Sequence, residues 1–106
     1  MWILYSEESE QDIVSIAEWL LQFNAESEVR ARIAGIRADI KILEKNPNIG
    51  TLVKSRVNAE TDERYLVCGK YLVFYQVIEK EEKIKITRIA DGRQNWQKNI
   101  FLTNLK

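Results

Sequence analysis

The stretch "YLVFYQVI", Tyr71 to Ile78, constrains the fold of this chain more than any other. Along an extended backbone Tyr71, Val73, Tyr75 and Val77 fall on one side, and Leu72, Phe74 and Ile78 on the other. A strand that is apolar on both sides needs cover on both, at least in part, so it belongs inside a sheet. Its neighbours complete a meander. "RYLVC" alternates ahead of it and is joined through a tight turn at Gly69-Lys70. "EKEEK" reads as a charged hairpin loop, and "KIKITRIA" returns as a further alternating strand.

The first half of the chain speaks a different grammar. Trp2 to Tyr5 is a short apolar run that fits a first strand. Ser6 then offers an N-cap, and Glu7, Glu8 and Glu10 place negative charge on the first helical turn, where the helix dipole favours it. Ile13, Ile16, Ala17, Leu20 and Leu21 follow helical spacing, which predicts a helix from Glu7 to about Phe23, stopped at Asn24. Val29, Ile33, Ile36, Ile40 and Leu43 step by fours and threes and predict a second helix, with Arg30, Arg37, Lys41 and Glu44 on its other faces. "EKNPNIG" ends it, because Pro47 cannot continue a helix and Gly50 suits a turn.

Two helices joined by so few residues pack as an antiparallel hairpin. The expected architecture is therefore α+β. The N-terminal strand and the three strands of the meander make a mainly antiparallel, twisted, four-stranded sheet, and the antiparallel two-helix hairpin packs on one face of it. A length of 106 residues, with no internal repeat and no linker, predicts one domain over residues 1–106.

Composition matters here for what it excludes. Hydrophobic residues at 45% rule out a disordered chain. The longest apolar run, around Tyr71 to Tyr75, is too short to cross a bilayer, and "MWILYSEESE" turns acidic without a basic leader region. The expectation is a cytoplasmic protein with no membrane partner. Histidine is absent, which removes the usual general base. The lone cysteine, Cys68, sits in an apolar stretch and reads as a small buried hydrophobe. No metal set and no cofactor motif is expected. The zero net charge conceals a split: residues 1–50 carry five Lys/Arg against nine Asp/Glu, and residues 51–106 carry eleven against seven. The basic excess makes the C-terminal segment the candidate anion-facing region.

Candidate binding chemistry collects in "KIKITRIADGRQNW". Ile84 and Ile86 share a side of their strand, and period two places Arg88 on that same side. An arginine extending an apolar row either packs its stem with its head on water or a carboxylate, or is held at a ligand site. Asp91-Gly92 signals a turn, after which Arg93 projects beyond the sheet, followed by Trp96. Arginine with tryptophan suits a stacking platform for nucleic acid or a protein-interface hot spot, and a tryptophan can also simply cap a core. Lys83 and Lys85 read as guards of an exposed edge along Ile84 to Ile89. Residues 97–106 read as a short helix docked on the sheet or a tail that orders with a partner.

The order of these pieces resembles the RelE/ParE superfamily of bacterial toxins. The resemblance rests on "SEESEQDIVSIAEWL", "ILEKNPNIGTLV", "ERYLVCGKYLVFYQV" and "ITRIADGRQNW", and covers roughly residues 2 to 96. It implies a toxin of a type II toxin–antitoxin pair, neutralised by a cognate antitoxin that wraps the helices or extends the sheet. RelE-like members cleave ribosome-bound mRNA with clustered basic residues, often an arginine after the tyrosine of the central strand. Here that residue is Leu72, there is no histidine, and Trp96 has no ionisable hydroxyl. Arg64, Arg88 and Arg93, with Glu63 as a proton acceptor, would be the catalytic group on that alternative. ParE-like members instead block DNA gyrase by binding. The two-helix hairpin and "RIADGR" resemble that branch more closely, although the branch commonly has histidine where this chain has Asp91. On that reading Arg88, Arg93 and Trp96 are the target-binding residues. A third alternative is an inactive binding module on the toxin fold.

Overall fold

The computed structural model describes residues 1–58 and 60–93. Strand β1 (Trp2–Tyr5) leads into helix α1 (Glu7–Leu21), and helix α2 (Glu26–Lys41) follows. The Ser6 hydroxyl accepts the Ser9 amide at 3.0 Å and so caps α1 as its sequence position predicts. Asn24 closes the same helix, donating its side-chain amide to the Leu20 carbonyl at 3.0 Å. A turn of 3-10 helix, Ile42–Glu44, carries the apolar stripe of α2 on to Leu43, which is fully buried.

The sheet has five strands where the sequence predicts four. Beyond the meander of β3 (Arg64–Cys68), β4 (Tyr71–Ile78) and β5 (Lys83–Asp91), the pair Thr51–Leu52 forms a short β2 antiparallel to β3. Two residues are too few to show an alternating pattern, so no periodicity could announce this strand. The order across the sheet is β1-β5-β4-β3-β2, with β1 parallel to β5 and all other neighbours antiparallel. This also corrects the expected edge. Lys83 to Ile86 lie inside the sheet, paired with Trp2 to Tyr5, and the rim on that side is β1.

Both sides of β4 are covered, as its sequence demands. On the helix side Val73, Tyr75, Ile84 and Ile86 pack with Ile40 and Leu43, all at 0% exposure, and with Ile13 and Ile36. Burying an aliphatic side chain of this size contributes about 1.5–3 kcal/mol, so this layer dominates the stability. On the other side Val53 leads a short 3-10 turn, Val53–Ser55, that covers Leu72, Phe74 and Ala90. The turn of Gly69 and Lys70 joins β3 to β4, and Gly69 takes the positive φ of 63° that a two-residue hairpin of this type needs.

One irregularity reorganises the end of β5. Tyr75 pairs with Ile86 but Phe74 pairs with Arg88, so Thr87 is an extra residue, a β-bulge. The bulge reverses the alternation. Ile89, not Arg88, continues the buried row of Ile84 and Ile86, and Arg88 shares the side of Phe74. The expectation that Arg88 extends that row is thereby corrected.

Candidate target-binding surface

The residues around the bulge are tied to distant parts of the chain. The Ser6 hydroxyl donates to the Thr87 carbonyl at 3.0 Å. The Thr87 hydroxyl lies within reach of the Phe74 carbonyl (3.1 Å) and of the Glu63 carboxylate, and its single proton serves one of them at a time. Asp12, on α1, completes the arrangement. It accepts the Ile89 amide at 2.8 Å and both Nε (2.8 Å) and Nη2 (3.1 Å) of Arg88. β1 ends at Tyr5, opposite Ile86, so beyond that point the free edge of β5 is capped by a helix carboxylate in place of a strand. Donating to the Asp12 carboxylate raises the Arg88 pKa and keeps the guanidinium charged.

Arg64 is equally committed. Its Nη1 donates to the carbonyls of Gly50 (2.8 Å) and Asn48 (3.3 Å), which fastens the "NPNIG" loop to β3. Gly50 in turn donates its amide to the Tyr75 hydroxyl at 2.8 Å. A Cβ at position 50 would stand 2.5 Å from that hydroxyl and 2.8 Å from the Tyr65 carbonyl, so the glycine is required by space.

Arg93 is different. It follows the Gly92 turn at the end of β5, with 76% of its side chain exposed. It folds back on Asp91, donating Nε at 3.2 Å and Nη2 at 3.0 Å, and its own amide reaches the same carboxylate at 2.8 Å. Those contacts hold the Asp91 carboxyl below its usual range. Tyr71, paired with Asp91 across the sheet, is 7% exposed; burial raises its pKa, while Arg32 of α2 and Arg93 pull the other way.

The structure does not bring the three candidate arginines together. Arg64 pairs with Tyr75 and Arg88 with Phe74, so their side chains leave opposite faces of the sheet. Arg93 lies past Asp91, whose partner Tyr71 is four residues from Tyr75, roughly 13 Å along the strand. Trp96 and residues 97–106 lie outside the described residues. Cys68 is 3% exposed and burial pushes its thiol up to about 11, far from reactive thiolate behaviour. Among the described residues no group of acids and cysteine is placed to hold a metal ion, and no helix is long and apolar enough to cross a membrane.

A second surface lies beside β1. The inward amides of Trp2 and Ser6 bond to β5, which by alternation turns the backbone groups of Ile3 and Tyr5 outward. Next to that rim is a groove of about 600 Å³ lined by Met1, Ile3, Tyr5, Arg37, Lys41 and Glu44. Arg37 stands 4.7 Å over the Tyr5 ring and pairs with Glu10 at 3.2 Å. In the sequence Arg37 and Lys41 stand only on the polar faces of α2. Their i, i+4 spacing was legible, but the nearness of β1 was not.

Among solved structures, the chain shares its fold with the chromosomal ParDE toxin–antitoxin system from P. aeruginosa. There the TM-score is 0.71 at 18% identity, covering 86% of this chain and 95% of that one. The isolated E. coli RelE toxin matches with a TM-score of 0.56 at 10% identity, covering 89% and 86%. The chain in the intact E. coli RelBE toxin–antitoxin complex matches with 0.53 at 10% identity, covering 88% and 98%. No curated protein matches in sequence. The family model for the ParE toxin of the type II toxin–antitoxin system parDE matches residues 3–96, nearly the whole chain. Strand, helical hairpin, meander and the exposed Arg93 end thus fall within one family match, and the chain belongs to the ParE toxin family of type II toxin–antitoxin systems.

Proposed function

We propose that this toxin acts in the cytoplasm by binding DNA gyrase and inhibiting it, and that a cognate antitoxin neutralises it. Membership of the ParE family carries this reading. Inhibition by binding, in preference to mRNA cleavage, is supported by the dispersal of Arg64, Arg88 and Arg93. Two of them are spent on internal partners, and the third lies apart from both at the end of the sheet, folded on Asp91. Phosphodiester cleavage needs an acid, a base and a charge stabiliser within reach of one phosphate. A binding inhibitor needs only a surface.

The antitoxin is assigned to the rim of β1. An extended segment added there would bond to the outward groups of Ile3 and Tyr5 and set alternate side chains into the groove below. Trp2 (79% exposed) and Leu4 (48%) on the same strand give such a segment apolar area to cover. Expression of the chain alone should arrest growth, and the purified protein should inhibit supercoiling by gyrase at modest molar excess. Ribosome-bound mRNA should stay intact in primer extension. Uninhibited gyrase at a large excess of toxin would sink the proposal, and codon-dependent cleavage would replace it with the ribonuclease activity.

A further inference from the structure

We propose that the end of the sheet where Arg32, Lys70 and Arg93 surround Tyr71 is the surface that grips the target, and that it takes an acidic protein segment. The inference rests on the toxin reading above and adds two residues, Arg32 and Lys70, that no sequence motif singles out. The three cations come from three separate elements: the middle of α2, the turn between β3 and β4, and the exit of β5. Lys70 immediately precedes Tyr71 in the turn, Arg93 follows Gly92 just past Asp91, the cross-strand partner of Tyr71, and the charge of Arg32 reaches the Tyr71 hydroxyl from α2.

The support beneath them is firm. Gly92 donates its amide to the Lys70 carbonyl at 2.8 Å, which straps the exit of β5 to the turn. Tyr71 and Asp91 are themselves paired across β4 and β5. The side chains of Arg32 and Lys70 are exposed, and neither makes a hydrogen bond or ion pair among the described residues. Asp91, the acid of the strand pair, is already held by Arg93. Two uncommitted cations on a rigid base are a recognition element for carboxylates.

Nucleic acid is the other polyanion to weigh. A duplex is held by neutralising roughly six to ten phosphates along a track, with a protein field that draws it in. Here the formal net charge is zero, and among the described residues the unpaired cations at this end are Arg32 and Lys70. Tyr71, the aromatic ring at their centre, is buried and offers no face for a base to stack on. A short acidic stretch of protein fits this geometry better than a phosphate backbone.

The double variant Arg32→Glu/Lys70→Glu tests this, with Lys80→Glu at the opposite end of β4 as the charge control. Circular dichroism and a thermal melt check that each variant keeps its fold. The double variant is expected to relieve growth arrest and to raise the toxin concentration for half inhibition of supercoiling by about tenfold. Lys80→Glu should do neither. Relief of growth arrest with wild-type toxin that leaves gyrase active would uphold the surface and overturn gyrase as the target. Undiminished growth arrest by the double variant overturns the surface, and so does a wild-type toxin that arrests nothing. A gel-shift of a short DNA duplex that is lost in the double variant, with growth arrest lost in parallel, overturns the acidic segment in favour of phosphate.

Discussion

Arg88 and Arg93 leave the same strand within one turn of each other, yet they occupy opposite kinds of environment. Around Arg88 the polar groups face one another: Asp12 takes the guanidinium and the Ile89 amide, Ser6 holds the bulge carbonyl, and Glu63 meets Thr87. Around Arg93 the charges face water, and Arg32 and Lys70 remain uncommitted among the described residues. The first region spends its charges on holding α1, β5 and the loop before β3 together. The second, fixed from beneath by Tyr71 and Gly92, keeps its charges available. A basic residue in a toxin-like tail is therefore no guide to its role until its partner is known, and a region can look like a binding site in sequence while serving the fold.

The sharpest way to break the first region lies one strand away, at Gly50. Gly50→Ala would drive a methyl group to 2.5 Å from the Tyr75 hydroxyl and 2.8 Å from the Tyr65 carbonyl, and Tyr75 is fully buried with nowhere to move. Overpacking of this kind costs about 3 kcal/mol. The loop that Arg64 holds should detach as well. Urea denaturation should show a midpoint lowered in proportion with an unchanged m-value. A midpoint equal to wild type would mean that the loop yields freely, and the rigid middle of the sheet would lose its basis.

Asp12→Ala comes next. It strips three hydrogen bonds at once and leaves the Ile89 amide and a guanidinium without their acceptor. Arg88 is 41% exposed, so water recovers part of the loss, and the expected cost is about 2 kcal/mol. Asp12→Asn should cost less, because its carbonyl oxygen can still accept the Ile89 amide. The decisive comparison is with Arg88→Ala measured in the Asp12→Ala background. If the two effects simply add, the pair does not act as a unit, and the contrast with Arg93 weakens.

Much of this architecture was legible in the chain. The apolar stripe of α2, the Ser6 cap and the two-sided strand "YLVFYQVI" each state their own environment, since they depend on neighbours three or four residues away or on simple alternation. What escaped was set by contacts across long sequence separations. The bulge at Thr87 is held by Ser6, Glu63 and Asp12, from the start and the middle of the chain, so nothing local in "KITRIA" warns that the period-two rule stops at Thr87. The position of β1 beside β5 is decided by the sheet as a whole, and that turned an expected edge into an interior strand. The same limit applies to the surface: Arg93 could be named from its place after Asp91-Gly92, whereas Arg32 and Lys70 join it only through the fold.

The smallest expected effect on stability is the most informative about function. Arg93→Ala removes an ion pair whose arginine is largely in water, and exposed pairs of this kind contribute little once solvent and salt screen them. The melting temperature should stay within about 2 °C of wild type. Asp91 should not be stranded, because the carboxylate keeps the backbone amide at position 93 as a donor and has water access. If Arg93 serves the target, the same variant should nonetheless weaken growth arrest clearly, and its deficit in gyrase inhibition relative to wild type should shrink at higher ionic strength, where salt screens the charge it lacks. The opposite split, a destabilised chain with undiminished toxicity, would place Arg93 with Arg88 as a structural arginine. Arg88 and Arg93 would then differ in exposure alone, and the grip on the target would have to be sought elsewhere on the molecule.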